Sequence, residues 1–148
     1  ILRDIIEDAK INRVYLPNSW IKIKPSKIIK QDKKIKKKLI SASRKLFFLS
    51  EKYYNSAYLG LAFLPIRSRF AILLALITYR QIGRKIIRKK YSNLNKREMI
   101  SSVEKIKCLT VAIFIFLINF KIHFKVFNHN KKLHETINKN SFLLKLKV

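Results

Sequence analysis

The sequence predicts an all-α protein of four or five helices joined by short turns, and three observations carry that expectation. Of 148 residues, only 2 are Gly and 3 are Pro, too few to punctuate a β-barrel or sandwich every ~8–12 residues. Hydrophobic residues make up 49%, which is enough to build a core and too much for a disordered basic tail. Apolar side chains recur at helical spacing along two long stretches, 39–61 and 68–89.

Residues 1–11 read as the end of a helix, with apolar side chains at 1, 2, 5, 6 and 9 and acids between them. Asn12-Arg13-Val14-Tyr15-Leu16-Pro17 leaves that helix, and Pro17, Asn18 and Ser19 make a loop. Residues 21–38 are dense in lysine. Lys33, Lys34, Lys36, Lys37 and Lys38 give a helix start with a solvated face. Across 39–61, Leu39, Ile40, Leu46, Phe47, Tyr54 and Leu61 keep helical spacing until Gly60 and Pro65 break it. Residues 68–89 form the clearest helix, with Phe70, Leu73, Leu74, Ile77, Ile82 and Ile86 near one face. Tyr91 to Asn95 is a loop. Ser102 opens the last helix, which runs to about Phe127 and carries Glu104 in its first turn, where the helix dipole favours an acid. The expected division is a helical domain over 1–127 and a polar, basic tail over 128–148.

Lys and Arg number 34 against 8 Asp and Glu, a formal net charge of +26. Such a charge invites a nucleic-acid partner. Lysine is spread along the whole chain, however, and is not gathered into one stripe, so no nucleic-acid partner is expected. Attraction to an anionic membrane surface is the other consequence of this charge. The longest apolar run, 108–120, falls short of the ~20 residues that span a bilayer. The expected location is cytoplasmic, with peripheral contact to a membrane. A single cysteine excludes an intrachain disulfide and a Cys-rich zinc site.

Asp4-Ile5-Ile6-Glu7-Asp8 is the one acidic concentration in this basic chain. Residues four apart on a helix lie on one face, so Asp4 and Asp8 aim two carboxylates at one point, flanked by Glu7. Converging carboxylates suit Mg²⁺, which takes a few carboxylate oxygens, waters and substrate phosphate. Arg3 sits beside them, and a guanidinium pairs well with diphosphate oxygens. A solvated surface helix with three acids is the plain alternative.

The run Ile1-Leu2-Arg3-Asp4-Ile5-Ile6-Glu7-Asp8-Ala9, followed by Arg13-Val14-Tyr15-Leu16-Pro17, closely resembles the second aspartate-rich motif of the squalene/phytoene synthase family, L-R-D-x-x-E-D-A and then R-x-Y-L-P. Gly60 to Pro65 and Tyr79-Arg80-Gln81-Ile82-Gly83 resemble that family's L-P segment and its Y-R-x-I-G helix. Tyr91 to Leu94 and Ser101 to Lys107 resemble its later loop and helix. The resemblance covers roughly residues 1–107.

It implies the all-α isoprenoid synthase fold, here as the C-terminal half of the helical bundle. It also implies a prenyltransferase that condenses two prenyl diphosphates head to head through a cyclopropyl diphosphate. The phytoene branch, which joins two geranylgeranyl diphosphates in carotenoid biosynthesis, fits the motif best. Squalene or dehydrosqualene synthase and a non-catalytic assembly factor of the same family are the alternatives. Carried over, Asp4, Glu7 and Asp8 are metal ligands for Mg²⁺, with Mn²⁺ as a substitute. Asp4, Asp8 and Tyr79 are the catalytic residues, Arg3 contacts the diphosphate of the substrate, and Arg13 and Tyr15 close the site.

Ile6 stands where many phytoene synthases have Gly. The only other Asp is Asp32, alone in a lysine run, so no second D-x-x-x-D exists in these residues. The segment is therefore expected to hold half an active site, be inactive alone and need an N-terminal half. His123, His129 and His134 lack metal-ligand spacing and read as an ordinary polar tail, and Cys108 reads as a buried structural thiol.

Overall fold

The computed structural model describes residues 1–30, 32–89, 97–125 and 133. Among them are five α-helices, two 3-10 turns and no strand, as the all-α expectation requires. The helices are α1 (Ile5–Lys10), α2 (Pro25–Lys30), α3 (Lys33–Gly60), α4 (Ile66–Arg88) and α5 (Ser102–Ile118). The 3-10 turns Leu61–Phe63 and Phe120–Ile122 follow α3 and α5.

Helix α1 is short because both of its ends are fixed by backbone chemistry. Asp4 holds the N-cap position at φ −110°, outside the helix. At the other end Asn12 adopts φ 59°, a left-handed conformation that Asn tolerates better than most residues. The Arg13 N–H donates to the Asp8 carbonyl at 2.8 Å and the Asn12 N–H to the Ala9 carbonyl at 3.1 Å. This is a Schellman stop with Asn in place of the usual Gly. The apolar side of α1 (Ile5, Ile6, Ala9) packs with Leu16, Ile21, Ile28, Leu39 and Ala42 into one core cluster. Pro25 starts α2 at a position where its missing N–H has no helical partner to lose.

Four boundaries differ from the sequence expectation, the first being that residues 1–4 precede α1 and are not part of a helix. The lysine-rich stretch is not one helix start: α2 ends at Lys30, and α3 begins at Lys33 with Asp32 extended at its N-cap position. The fourth helix starts at Ile66 because extended Pro65 stands at its N-cap position. Helix α5 ends at Ile118, well before Phe127, because Asn119 leaves helical geometry at ψ 90°. The Asn119 Nδ2 donates to the Tyr58 hydroxyl at 2.7 Å, and its Oδ1 accepts from the Lys121 N–H at 3.1 Å. Its amide is thus spent on turning the chain. The loop from Tyr91 to Asn95, His129, His134 and all of the tail except Leu133 lie outside the described residues.

Helix α4 is the spine, packing against both α3 and α5. Leu61, Leu73, Ala112 and Ile122 form a second cluster between them. Arg69, only 9% exposed, ties this end together. It donates to the carbonyls of Ala62 (3.0 Å) and Leu64 (2.7 Å) and to His123 Nδ1 (3.0 Å). Guanidinium nitrogens only donate, so Nδ1 accepts, and His123 Nε2 donates to the Phe116 carbonyl at 2.8 Å. His123 is a partly buried tie in the bundle and not a polar tail residue. Cys108 is buried, as expected.

Candidate functional site

Arg3 and Asp4 precede the first turn of α1 and line a cavity with residues of α3 and α4. Side chains at its mouth are free to turn toward α3 and α4. A cavity of about 300 Å³ opens there, lined by Leu2, Arg3, Asp4, Leu46, Phe47, Ser50, Tyr54, Tyr79, Ile82, Gly83 and Ile86, among others. Tyr79 and Gly83 lie one turn apart on α4, and Phe47, Ser50 and Tyr54 belong to α3. A larger cavity of about 580 Å³ lies on the far side of Tyr79, walled by Leu74, Thr78, Met99, Ile100, Lys105, Ile106 and Leu109. The two cavities share Arg3, Tyr79 and Ile82. Both are mostly apolar, and the polar side chains that they share are Arg3 and Tyr79.

At that meeting point the Arg3 Nε donates to Asp4 Oδ1 at 2.9 Å and its Nη2 to Oδ2 at 3.2 Å. A second guanidinium arrives from 93 positions away: Arg97 Nε lies 3.0 Å from the same Oδ1. Partial burial pushes the Asp4 carboxyl up. The Arg3 hydrogen bond and the charges of Arg3 and Arg97 outweigh that push and hold it below the ordinary carboxylate range. Arg3 is raised in return, first by its hydrogen bond to Asp4. Burial pushes the Tyr54 hydroxyl up, with the charge of Glu51 adding to it.

The other expected residues are placed differently. Asp8, one turn beyond Asp4, lines a narrow cleft with Ile5, Arg13, Val14, Tyr15 and Leu16. That cleft offers about 10 Å³, at the lower limit of the ~10–15 Å³ that a single water needs. Asp4 and Asp8 therefore open onto different spaces, because Asp4 sits outside the helix and loses the register that would stack it over Asp8. Glu7 is half-buried on α1. Among the described residues no three Asp, Glu, His or Cys side chains gather as a metal group. The donor chemistry at the cavity fits a divalent ion through the Asp4 carboxylate, which in this arrangement is neutralised by two arginines. Arg97 and Lys105 are site residues that the sequence does not single out, since nothing local distinguishes them among 34 cations.

The family model for squalene/phytoene synthase matches residues 1–104. The 15-cis-phytoene synthase of Enterobacter agglomerans is 37% identical over 113 residues, covering 76% of this chain and 38% of that protein. The 15-cis-phytoene synthase of Pantoea ananas is 36% identical over 76% of this chain and 37% of its own length. Chloroplastic phytoene synthase 2 of Solanum lycopersicum is 32% identical over 76% and 36%. The chain thus spans under two fifths of the length of these relatives. No solved structure gives a significant match.

Proposed function

The chain belongs to the squalene/phytoene synthase family, and from that premise we propose that it is part of a phytoene synthase, joining two geranylgeranyl diphosphates head to head through a cyclopropyl diphosphate in carotenoid biosynthesis. The observation that carries this reading is the meeting of two apolar cavities at Arg3, Tyr79 and Ile82, with Asp4 beside Arg3 in the smaller one. Two prenyl chains need two apolar channels, and their diphosphates need cations at the point where those channels converge.

Each residue has a task in this proposal. Arg3 and Arg97 present planar donor forks that suit diphosphate oxygens. They now hold a carboxylate, whose oxygens resemble those of the anion they would receive. Tyr79, 58% exposed, brings its hydroxyl to the shared edge, within reach of a reacting diphosphate. Leu46, Phe47, Ile82 and Ile86 on one side, and Leu74, Ile100, Ile106 and Leu109 on the other, keep water from an allylic cation. Asp4 is the proposed Mg²⁺ ligand at the cavity, with Mn²⁺ as the substitute ion; Glu7 and Asp8, the other expected ligands, are not gathered with it. A divalent ion held there would offset the charge that builds on a departing diphosphate. The first aspartate-rich segment is assigned to an N-terminal half outside these residues, and the working place is the cytoplasm.

The test is product extraction from the full-length enzyme that contains this chain, with geranylgeranyl diphosphate and Mg²⁺. Phytoene should form, stop with EDTA, and fall by about 100-fold or more in Asp4→Asn, since preorganised charge at the departing group is worth that much. Undiminished product from the variant would overturn the assignment. Squalene formed from farnesyl diphosphate and NADPH would move it to the other branch of the family.

A further inference from the structure

We propose that Gly83 is a specificity-determining residue: with the Phe47 ring opposite, it sets the size of prenyl chain that the smaller cavity admits. The inference rests on the synthase reading above. Gly83 lies inside α4, where a glycine is costly because the unfolded chain has more freedom to lose. Neither the backbone nor the packing asks for it there. Among the described residues no glycine has a positive φ, so the left-handed region that glycine enters freely is not used. A methyl at 83 would meet Phe47 Cδ2 and Cε2 at 3.5 Å, an ordinary contact that the fold can accept. Gly60, the other glycine, sits at the last position of α3, where the helix breaks. What a side chain at 83 would take is room in the cavity that Gly83 lines.

That room has a direction. Arg80 pairs with Glu51 and Gly83 faces Phe47, so α3 and α4 run antiparallel along the cavity. Arg3 and Tyr79, shared by both cavities, mark the end that takes the diphosphates in the synthase reading, and Phe47, Gly83 and Ile86 lie beyond it. Ser50, between them on α3, donates its hydroxyl to the Phe47 carbonyl at 2.7 Å. It therefore sets no unpaired donor against an apolar chain. When two like chains are joined, the tighter site limits their size. The smaller cavity, at about 300 Å³ against 580 Å³, is that site. A large side chain at 83 must displace the Phe47 ring or enter the cavity, and the ring is itself packed edge-on against Phe48, with centroids 5.7 Å apart. The facing of Phe47 and Gly83 joins two helices of this chain, so it stands whatever the N-terminal half adds on the open side.

The test offers the full-length enzyme that contains this chain equal amounts of geranylgeranyl and farnesyl diphosphate with Mg²⁺, and reads the ratio of phytoene to dehydrosqualene. Gly83→Leu should lower that ratio about tenfold or more, since a single methylene in an apolar pocket already discriminates by ~10-fold. Gly83→Ala, whose methyl the fold accepts, should shift the ratio the same way by less. Adding Phe47→Ala to Gly83→Leu returns the space that the leucine takes and should restore most of the parent ratio, a rescue that a merely structural fault at 83 would not show. Calorimetry with unreactive thiodiphosphate analogues reads the same order without turnover: Gly83→Leu should weaken the geranylgeranyl analogue and spare the farnesyl one. A ratio unchanged in both single variants, even through equal loss of both products, or a double variant no better than Gly83→Leu, would overturn the inference, while phytoene from the parent keeps the synthase reading standing. A parent that forms no phytoene would overturn that reading, and this inference with it.

Discussion

Asp4 and Glu51 are each held between two guanidinium groups, yet the two arrangements are built differently. Their side chains are similarly exposed, 25% and 21%, so burial does not separate them. Glu51 receives Arg80 through Nε at 2.9 Å and Nη2 at 2.7 Å, and the same Nη2 also donates to Asn55 at 2.9 Å. Arg84 adds a contact at 3.5 Å. This cluster joins α3 to α4. The Arg80 hydrogen bond is the largest influence on the Glu51 carboxyl and holds it below its ordinary value. At Asp4 the largest influence is burial, which opposes the charge. One partner there is the adjacent residue, and the other, Arg97, is half-exposed. Glu51 is a brace between α3 and α4, although its arginines also border a cavity of about 350 Å³ that Glu104 lines. Asp4 closes a cavity, and its arginines could exchange it for an incoming anion.

The sharpest test of that contrast is diphosphate binding without metal. Freed of their carboxylate in Asp4→Asn, Arg3 and Arg97 should take inorganic diphosphate about tenfold more tightly than in the parent, a gain of ~1.4 kcal/mol, read by calorimetry. Glu51→Gln should leave that affinity unchanged. An equal effect from both variants would erase the distinction.

Stability should respond the other way. Hydrogen bonds to charged groups are worth more than neutral ones, and Glu51 joins two helices through Arg80 whereas Asp4 takes one of its partners from the adjacent residue. Glu51→Gln should therefore cost about 1–2 kcal/mol in urea unfolding, and more than Asp4→Asn does. The reverse order would make Asp4 the structural residue.

A third carboxylate, Glu104, extends the comparison to a helix start. Glu104 accepts from Lys85 at 2.6 Å and from the Ser101 N–H at 2.7 Å, in a capping box that starts α5. The Lys85 hydrogen bond and then the Ser101 N–H hold its carboxyl down to about 2, from an ordinary 4.5. A carboxyl lowered on folding contributes stability above its unfolded value and loses it as pH falls toward the folded one. Helix melting followed by circular dichroism should therefore grow easier between about pH 4.5 and 2, and less steeply so in Glu104→Gln. Identical pH profiles would remove Glu104 from the account.

The smallest effect is expected at Gly83, which lies on α4 one turn from Tyr79 and lines the smaller cavity. A methyl there would meet the Phe47 ring at 3.5 Å, an ordinary contact. Gly83→Ala should therefore stabilise the helix by about 0.5–1 kcal/mol while narrowing the cavity. A loss of stability would mean that Phe47 cannot accept the contact.

The sequence by itself determined the helical class, the stop at Asn12, the break near Gly60 and Pro65, the burial of Cys108 and the family, because each is written in residues a few positions apart. Periodicity, caps and motifs act over one or two turns of chain, and the pattern from Arg3 to Pro17 is of that kind. Tertiary structure alone decided which of 34 cations meets which acid: Arg97 at Asp4, Lys85 and not Lys107 at Glu104, and Arg80 at Glu51. It also decided that Asp4 and Asp8 open onto different spaces. A four-residue spacing aligns side chains only if both lie within the helix, and Asp4 stands one residue outside it. His123 likewise became a tie to Arg69 only because Asn119 turned the chain back on α4. Such pairings depend on how whole helices pack, which no local pattern encodes.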